Sequence, residues 1–299
     1  MTSRGSVILW SILTGMEPSD SPSNDREPTT PASRPTRRRW LTYSLRSLVA
    51  AMFIACMGFA WFGFHWRAKQ KERAAVKALE ELGGTVYYDY QLNEDGVRLD
   101  PPSDAPGAEW LRTLLGDDWF AEVQGVSAVF SYNPHFSKTG LTHVRELKQL
   151  RSLEFEDLEI TDPELLLLRE LNQLRTLGLS GTPVTDAGLI HLRELRKLQR
   201  LDLRRTQVSD VGLVHLRELK QLQELRLDST QVRDTGLVHL HELNQLQELG
   251  LSSTQVTDAG LLHLREMKQL TKLWIDYTFV THEGVVALRK ALPNCDVRY

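Results

Sequence analysis

A chain of 299 residues with 25% charged and 41% hydrophobic side chains has room for a sizeable core and is too apolar to be disordered throughout. Its formal net charge of -3 gives no electrostatic case for nucleic acid, so no nucleic-acid partner is expected. The two cysteines, Cys56 in an apolar run and Cys295 near the C-terminus, imply no disulfide framework and leave the redox compartment open.

Residues 1–46 open with the short apolar run VILWSIL and continue as EPSDSPSNDREPTTPASRPTRRR, which is rich in Pro, Ser, Thr and charge. That composition cannot bury enough surface to order itself, so a disordered tail is expected. VILWSIL reads either as a signal peptide or as a leader upstream of a start at Met16. No small-residue cleavage site follows it, which favours the second reading. Between Arg46 and Arg67 lie twenty uncharged residues, SLVAAMFIACMGFAWFGFHW. At about 1.5 Å per residue a helix of this length spans the ~30 Å hydrocarbon core of a bilayer. Trp40 and Tyr43 on one flank and Trp61 and Trp66 on the other resemble interfacial aromatic belts, so one transmembrane helix is predicted over 47–66. A buried globular helix fits poorly with a run apolar all round and bracketed by Arg37, Arg38, Arg39 and by Arg67, Lys69, Lys71. Fifteen residues on each flank carry five Lys and Arg apiece, a tie under the positive-inside rule. The compact arginine triplet tips the expectation to a cytoplasmic N-terminus and an extracytoplasmic repeat region.

RAKQKERAAVKALEEL then reads as a juxtamembrane helix over 67–84, ended by Gly83 and Gly84. TVYYDYQL alternates as a strand does, and a Pro-rich turn leads into a short amphipathic helix bearing Trp110, Leu111, Leu114, Leu115 and Trp119. Residues 85–125 are read as a cap, because a stack of repeats needs a terminal unit over its first open face.

From 126 to the end one phrase returns every 24 residues: VSDVGLVHLRELKQLQELRLDSTQ at Val208 is followed by VRDTGLVHLHELNQLQELGLSSTQ at Val232. Leu-x-Leu or Leu-x-Ile pairs stand at 177/179, 201/203, 225/227, 249/251 and 273/275, with Leu153 and Phe155 before them. The five pairs from 177/179 onward are followed in register by Thr, Val and Leu, with Val285 in place of the Leu in the last copy. This resembles the leucine-rich repeat, with six clear copies and one degenerate one. Thr182, Thr206, Thr230, Thr254 and Thr278 stand where that family's pattern has Asn or Cys, so a slightly different turn is expected. The resemblance covers roughly residues 150–299 and implies an α/β solenoid. Short strands pair in parallel on the concave side and short helices line the convex side. One repeat cannot bury its leucines alone; stacked repeats share a core.

Pro163 in ITDPELLLL suits the first helical position, which makes Asp162 the expected N-cap. By register Asp186, Asp210, Asp234 and Asp258 are expected N-caps too, and Leu189, Leu192 and Leu195 are expected to face the core.

Asp-x4-His pairs such as Asp210 and His215 invite a catalytic reading. No nucleophile recurs beside them, and a catalytic site is one constellation rather than several copies in register. No enzyme activity, catalytic residue or cofactor is expected. The column His143, His191, His215, His239, His263, with His241 and Glu242 beside it, offers a metal-dependent enzyme as the less favoured alternative. Packing with a polar tip explains it better, because no three ligands are specified to converge. The Arg-Glu pairs of HLRE, such as Arg193-Glu194, read as a solvated charge lattice.

The outward strand columns differ from repeat to repeat, as a surface free to specialise does. A protein or peptide is therefore the expected partner, bound through Arg200, Asp202, Arg204, Glu224, Arg226, Asp228, Trp274, Asp276 and Tyr277. A structural envelope component is the alternative.

Overall fold

The computed structural model describes residues 45–92, 104–115, 121–129 and 137–299. The tail over 1–44 with its alternative starts, Trp40, Tyr43, the arginine triplet and Trp119 lie outside the described residues. The chain divides between Cys56 and Met57. In the first unit the described residues are helical, opening α1 (Leu45–Glu81), and leave Leu48, Met52, Phe53 and Ile54 exposed. Ser47–Glu81 is long and apolar enough, by length and composition, to be a candidate membrane span.

In the second unit α1 runs to Glu81 and packs Ala75, Val76 and Leu79 into the core. Lys69 is buried there, its ammonium donating to the Ala121 carbonyl at 2.5 Å and pairing with Glu72 at 2.8 Å. The helix ends where the two glycines predicted it would. Gly83 turns left-handed at φ 80, and the Gly84 N–H donates back to the Leu79 carbonyl at 2.8 Å.

One sheet holds nine strands in chain order among the described residues. They are β1 (Thr85–Tyr88), β2 (Val123–Val129), β3 (Ser152–Glu156), β4 (Thr176–Ser180), β5 (Arg200–Asp202), β6 (Glu224–Arg226), β7 (Glu248–Gly250), β8 (Lys272–Trp274) and β9 (Asp296–Arg298). Only β1 runs antiparallel to its neighbour. From β3 to β8 the pairing advances by one repeat per strand, with Leu153, Leu177, Leu201, Leu225, Leu249 and Leu273 in one row. These leucines, with Leu203, Leu213, Leu216, Leu219, Leu222 and their copies, are almost wholly buried. Each stabilises the fold by roughly 1.5–3 kcal/mol against exposure. Leu189, Leu192 and Leu195 belong to that core, as the helical spacing predicted. The threonine column closes each turn within its own repeat: Thr206 Oγ1 donates to the Leu203 carbonyl at 2.7 Å, and Thr182, Thr230, Thr254 and Thr278 repeat the bond.

The convex side carries one α-turn per repeat, at Asp162–Leu165, Asp186–Leu189, Asp210–Leu213 and Asp234–Leu237, each running into a 3-10 segment. Longer helices follow at Asp258–Leu264 and His282–Ala291. The expected N-cap role of Asp162, Asp186, Asp210, Asp234 and Asp258 is corrected here. Each is the first helical residue, and the cap is the residue before it, Thr161, Thr185, Ser209, Arg233 or Thr257. The aspartate reaches forward instead of capping its own helix. Asp186 Oδ1 accepts the Ser209 N–H at 2.7 Å and Oδ2 accepts the Ser209 hydroxyl at 2.5 Å. Asp162 holds Thr185, Asp234 holds Thr257 and Asp258 holds Thr281 in the same way. Where Arg233 replaces the hydroxyl, its N–H still donates to Asp210 at 2.7 Å, and Thr235 supplies the second donor. A carboxylate at the first helical position still lies favourably against the helix dipole, so it serves two turns at once.

The glycine of the TDAGL phrase follows from this. A β-carbon at Gly188, Gly212, Gly236, Gly260 or Gly284 would collide with the aspartate of the preceding repeat. Glu164 takes that place in the one clear copy whose predecessor has Lys138 instead of Asp.

Candidate functional site: the concave sheet

Adjacent strands lie about 4.8 Å apart, so side chains in one column two repeats apart are separated by roughly 10 Å. They meet only if the residue between them is small. Three glycines create such gaps and organise the face.

At Gly250, between Arg226 and Trp274 in register, the Arg226 guanidinium crosses to lie 4.5 Å from the centre of the Trp274 ring. Arg226 Nε also donates to Asp228 at 2.9 Å. Asp228 accepts the Ser252 N–H at 3.1 Å, and the Ser252 hydroxyl donates to Asp276 at 3.2 Å. A side chain at Gly250 would displace both Arg226 and Asp228. Arg226, Asp228, Trp274 and Asp276 therefore form one cluster. Tyr277, expected beside it, stands 90% exposed on the loop with a left-handed backbone at φ 57.

At Gly181 the gap is crossed by Arg205, whose guanidinium lies 3.3 Å from Asp157 and 3.5 Å from Glu156. Gly181 has φ 69, and a β-carbon there would strike Asp157. Asp157, Arg205, Ser229, Ser253 and Tyr277 hold the same left-handed conformation without being glycine, a strain that a shared solenoid geometry imposes on each turn.

Gly178 differs, because two acids flank it. Glu154 and Asp202 face one another across it in register, over a groove of ≈ 280 Å³ lined also by Glu156, Arg200, Arg204 and Arg226. Burial and then the nearby Asp202 carboxylate push the Glu154 carboxyl above its ordinary value, against the opposing pull of Arg200. Asp202 already holds Arg204, Nε at 2.9 Å and Nη2 at 2.6 Å, and this bond raises the Arg204 pKa. Arg200 lies 3.7 Å from Glu224, a loose pair.

The residues expected at this face therefore separate into two groups. Arg200, Asp202, Arg204 and Glu224 lie over β5 and β6, with the second cluster beyond them. Sequence reasoning places Glu154, Gly178 and Gly250 in outward columns without giving them a role, and passes over Arg205 and Gly181. The legible signal was a glycine in an outward column, which marks where residues two repeats apart face each other.

Elsewhere the aspartates of the Asp-x4-His pairs are engaged by the next repeat, as Asp210 is by Arg233 and Thr235. In the histidine column His239 Nδ1 accepts from Arg217 at 2.9 Å, and burial followed by the Arg217 charge lowers its pKa. Among the described residues no three His, Cys, Asp or Glu converge as a metal-holding group. Ion pairs join adjacent repeats on this side: Arg145 and Lys148 converge on Glu170 at 2.8 and 2.6 Å, and Lys220 meets Glu242 at 2.8 Å.

A family model described as Leucine Rich repeat matches residues 194–217, one period of the chain. Among solved structures the chain is similar to an internalin of Listeria monocytogenes at 23% identity and TM-score 0.45, covering 52% of this chain and 43% of that one. It is also similar to internalin C2 of the same organism at 29% identity and TM-score 0.49, covering 60% of this chain and 70% of that one. A leucine-rich-repeat protein of Leptospira interrogans is similar at 18% identity and TM-score 0.41, covering 58% of this chain and 48% of that one. The chain thus spans less than half the length of the first and third of these proteins. No curated protein matches it. The in-register sheet and the matched repeat make the region a leucine-rich-repeat solenoid, a fold typical of protein-interaction modules.

Proposed function

We propose that this chain is a membrane-anchored interaction module that presents its concave sheet to a protein or peptide. In this reading a single membrane-spanning segment over 47–66 lies in the first part of α1. A juxtamembrane helix over 67–84, a cap over 85–125 and repeats over 126–299 follow, with the repeat region outside the cytoplasm. No catalytic step, metal or cofactor is assigned to it.

One observation carries the reading. The concave columns change identity from repeat to repeat while their arginines are already held in place. Asp202 grips Arg204 through two guanidinium nitrogens, and Asp228 with Trp274 fixes Arg226. Side chains ordered before binding lose less conformational entropy when a partner arrives, and Arg and Trp are the types that dominate binding energy at interfaces. The anchoring rests on the exposed apolar length of α1.

The test is site-specific photo-cross-linking of the full-length chain in cells. A cross-linker at Glu224 or Tyr277 is expected to capture a discrete adduct that Arg204→Glu together with Arg226→Glu abolishes. Adducts that survive both reversals would remove the concave face as the binding site. Protease access to the repeat region in intact cells tests its side of the membrane.

A further inference from the structure

Of the three glycines that open gaps in the concave face, two are required by this chain itself. A β-carbon at Gly250 would collide with Arg226 and Asp228, and one at Gly181 with Asp157. Gly181 is also left-handed. Gly178 meets neither requirement. Its φ is not left-handed, and a β-carbon there would meet nothing nearer than the Glu154 backbone at 3.4 Å, an ordinary contact. Glycine inside a strand costs stability and marks a place where a ligand or another chain comes close. Above Gly178 the space is a groove of ≈ 280 Å³, floored by the small outward residues Thr176 and Ser180 on either side of the glycine.

The two filled gaps show what kind of group belongs in the third. Each is bridged by an arginine of this chain: Arg226 crosses Gly250 to Trp274, and Arg205 crosses Gly181 to Asp157. Across Gly178 the residues two repeats apart are both acids, Glu154 and Asp202, and neither crosses to the other. The arginines nearby are committed elsewhere. Arg204 donates to Asp202 through Nε and Nη2, Arg205 pairs with Asp157 and Glu156, and Arg200 leans toward Glu224 at 3.7 Å. The Glu154 carboxylate has no hydrogen bond or ion pair among the described residues, and Arg200 acts on it only through its charge. Burial and then the Asp202 charge push its carboxyl above the ordinary value, the direction of an acid that lacks its cation. Asp202 gives its oxygens to Arg204, so Glu154 is the acceptor left over and Asp202 adds a second negative charge.

We infer that the gap over Gly178 receives an arginine side chain of the partner, its guanidinium bonded to the Glu154 carboxylate and lying over the glycine toward Asp202. The inference rests on the reading of the concave sheet as the partner face, and it names the group that face selects. Glu154 and Asp202 stand roughly 10 Å apart across the gap, which leaves room for a flat cation between them. Guanidinium suits the place better than ammonium. Its planar fork pairs with a carboxylate through two parallel bonds, and it can lie flat on a floor that has no side chain. An acidic side chain entering the same gap would meet two carboxylates.

The probes are capped alanine pentapeptides with arginine, lysine or citrulline at the centre, titrated into the full-length chain in detergent micelles. The readouts are the nuclear magnetic resonance signals of the Glu154 carboxyl and the Gly178 amide. The arginine peptide is expected to shift both saturably, the lysine peptide to bind more weakly, and the uncharged citrulline peptide to leave them unmoved. Glu154→Gln is expected to weaken the arginine peptide about tenfold, the loss of one charged hydrogen bond. Gly178→Leu fills the gap and is expected to abolish binding while the Trp274 indole signal keeps its place. Equal shifts with citrulline, binding that survives Gly178→Leu, or no shift with arginine in the wild-type chain overturns the inference. So does binding seen only after Arg200→Met, which would give the gap to Arg200. Cross-linking at Tyr277 is read separately. An adduct captured there while the arginine peptide fails removes only this assignment, and the opposite pattern removes the partner reading while the gap still selects arginine.

Discussion

The edge where helices begin and the sheet that lies open are built from the same turns, yet one hardly varies and the other hardly repeats. At the edge the Asp of one repeat must meet the backbone and hydroxyl of the next, and the next Gly must make room for it. Each residue there is constrained by its own copy, so the column is nearly uniform. On the concave sheet side chains two repeats apart meet only where a glycine opens a gap, and each gap is used differently. Arg226 and Trp274 close one, Arg205 and Asp157 close another, and Glu154 and Asp202 leave the third open. Uniformity here marks mutual contact, and variation marks freedom to specialise.

The sharpest way to break that comparison is at the edge. Gly212→Ala drives a methyl into Asp186 and is expected to cost roughly 2–3 kcal/mol, in the range of overpacked sites. Asp186→Ala leaves the Ser209 donors without their acceptor and is expected to cost roughly 1–3 kcal/mol. Because the missing carboxylate also makes room for the methyl, the double variant is expected to fall short of the sum by about 1 kcal/mol in denaturant unfolding. Strict additivity would mean that the two residues do not meet.

On the open sheet the effects are smaller. A double-mutant cycle of Arg226→Met and Trp274→Leu is expected to return a coupling of about 0.5–1 kcal/mol, the range of a partly exposed cation–π pair. No coupling would mean that the gap at Gly250 is not bridged. Ser229→Gly relieves a left-handed backbone at φ 58 and is expected to stabilise by about 0.5 kcal/mol, net of the freedom glycine adds to the unfolded chain. Unchanged or lower stability would place the strain elsewhere.

The last and smallest effect concerns Glu154. Its raised pKa means that the fold favours the protonated form. The associated stabilisation is full below the ordinary carboxylate value and is lost as pH rises through the raised one. At neutral pH the charged carboxylate weighs against the fold, so Glu154→Gln is expected to raise the melting temperature slightly there and to lose that advantage on acidification. A gain that grows in acid would reverse the sign and refute the assignment.

Much of the architecture was legible in one dimension because the leucine, threonine and valine columns recur at a fixed interval. The N-cap assignment of the aspartates went one residue astray. Pro163 was consistent with either of the first two helical positions, and spacing does not show whether a carboxylate turns back to its own helix or forward to the next turn. The exposed column Leu166, Ile190, Val214, Val238, Leu262 and Val286 is as periodic as the core columns, and periodicity alone does not separate an outward column from an inward one when both are aliphatic.

By itself the sequence determined the repeat, its leucine interior and the places where the outward columns vary, since burial demands a periodic apolar pattern that any reader of the chain can count. Tertiary structure alone decided which residues of different repeats meet. Contacts such as Arg226 with Trp274 and Arg205 with Asp157 join positions 48 residues apart. They exist only because parallel stacking sets neighbouring turns about 4.8 Å apart and a glycine leaves the space between them open.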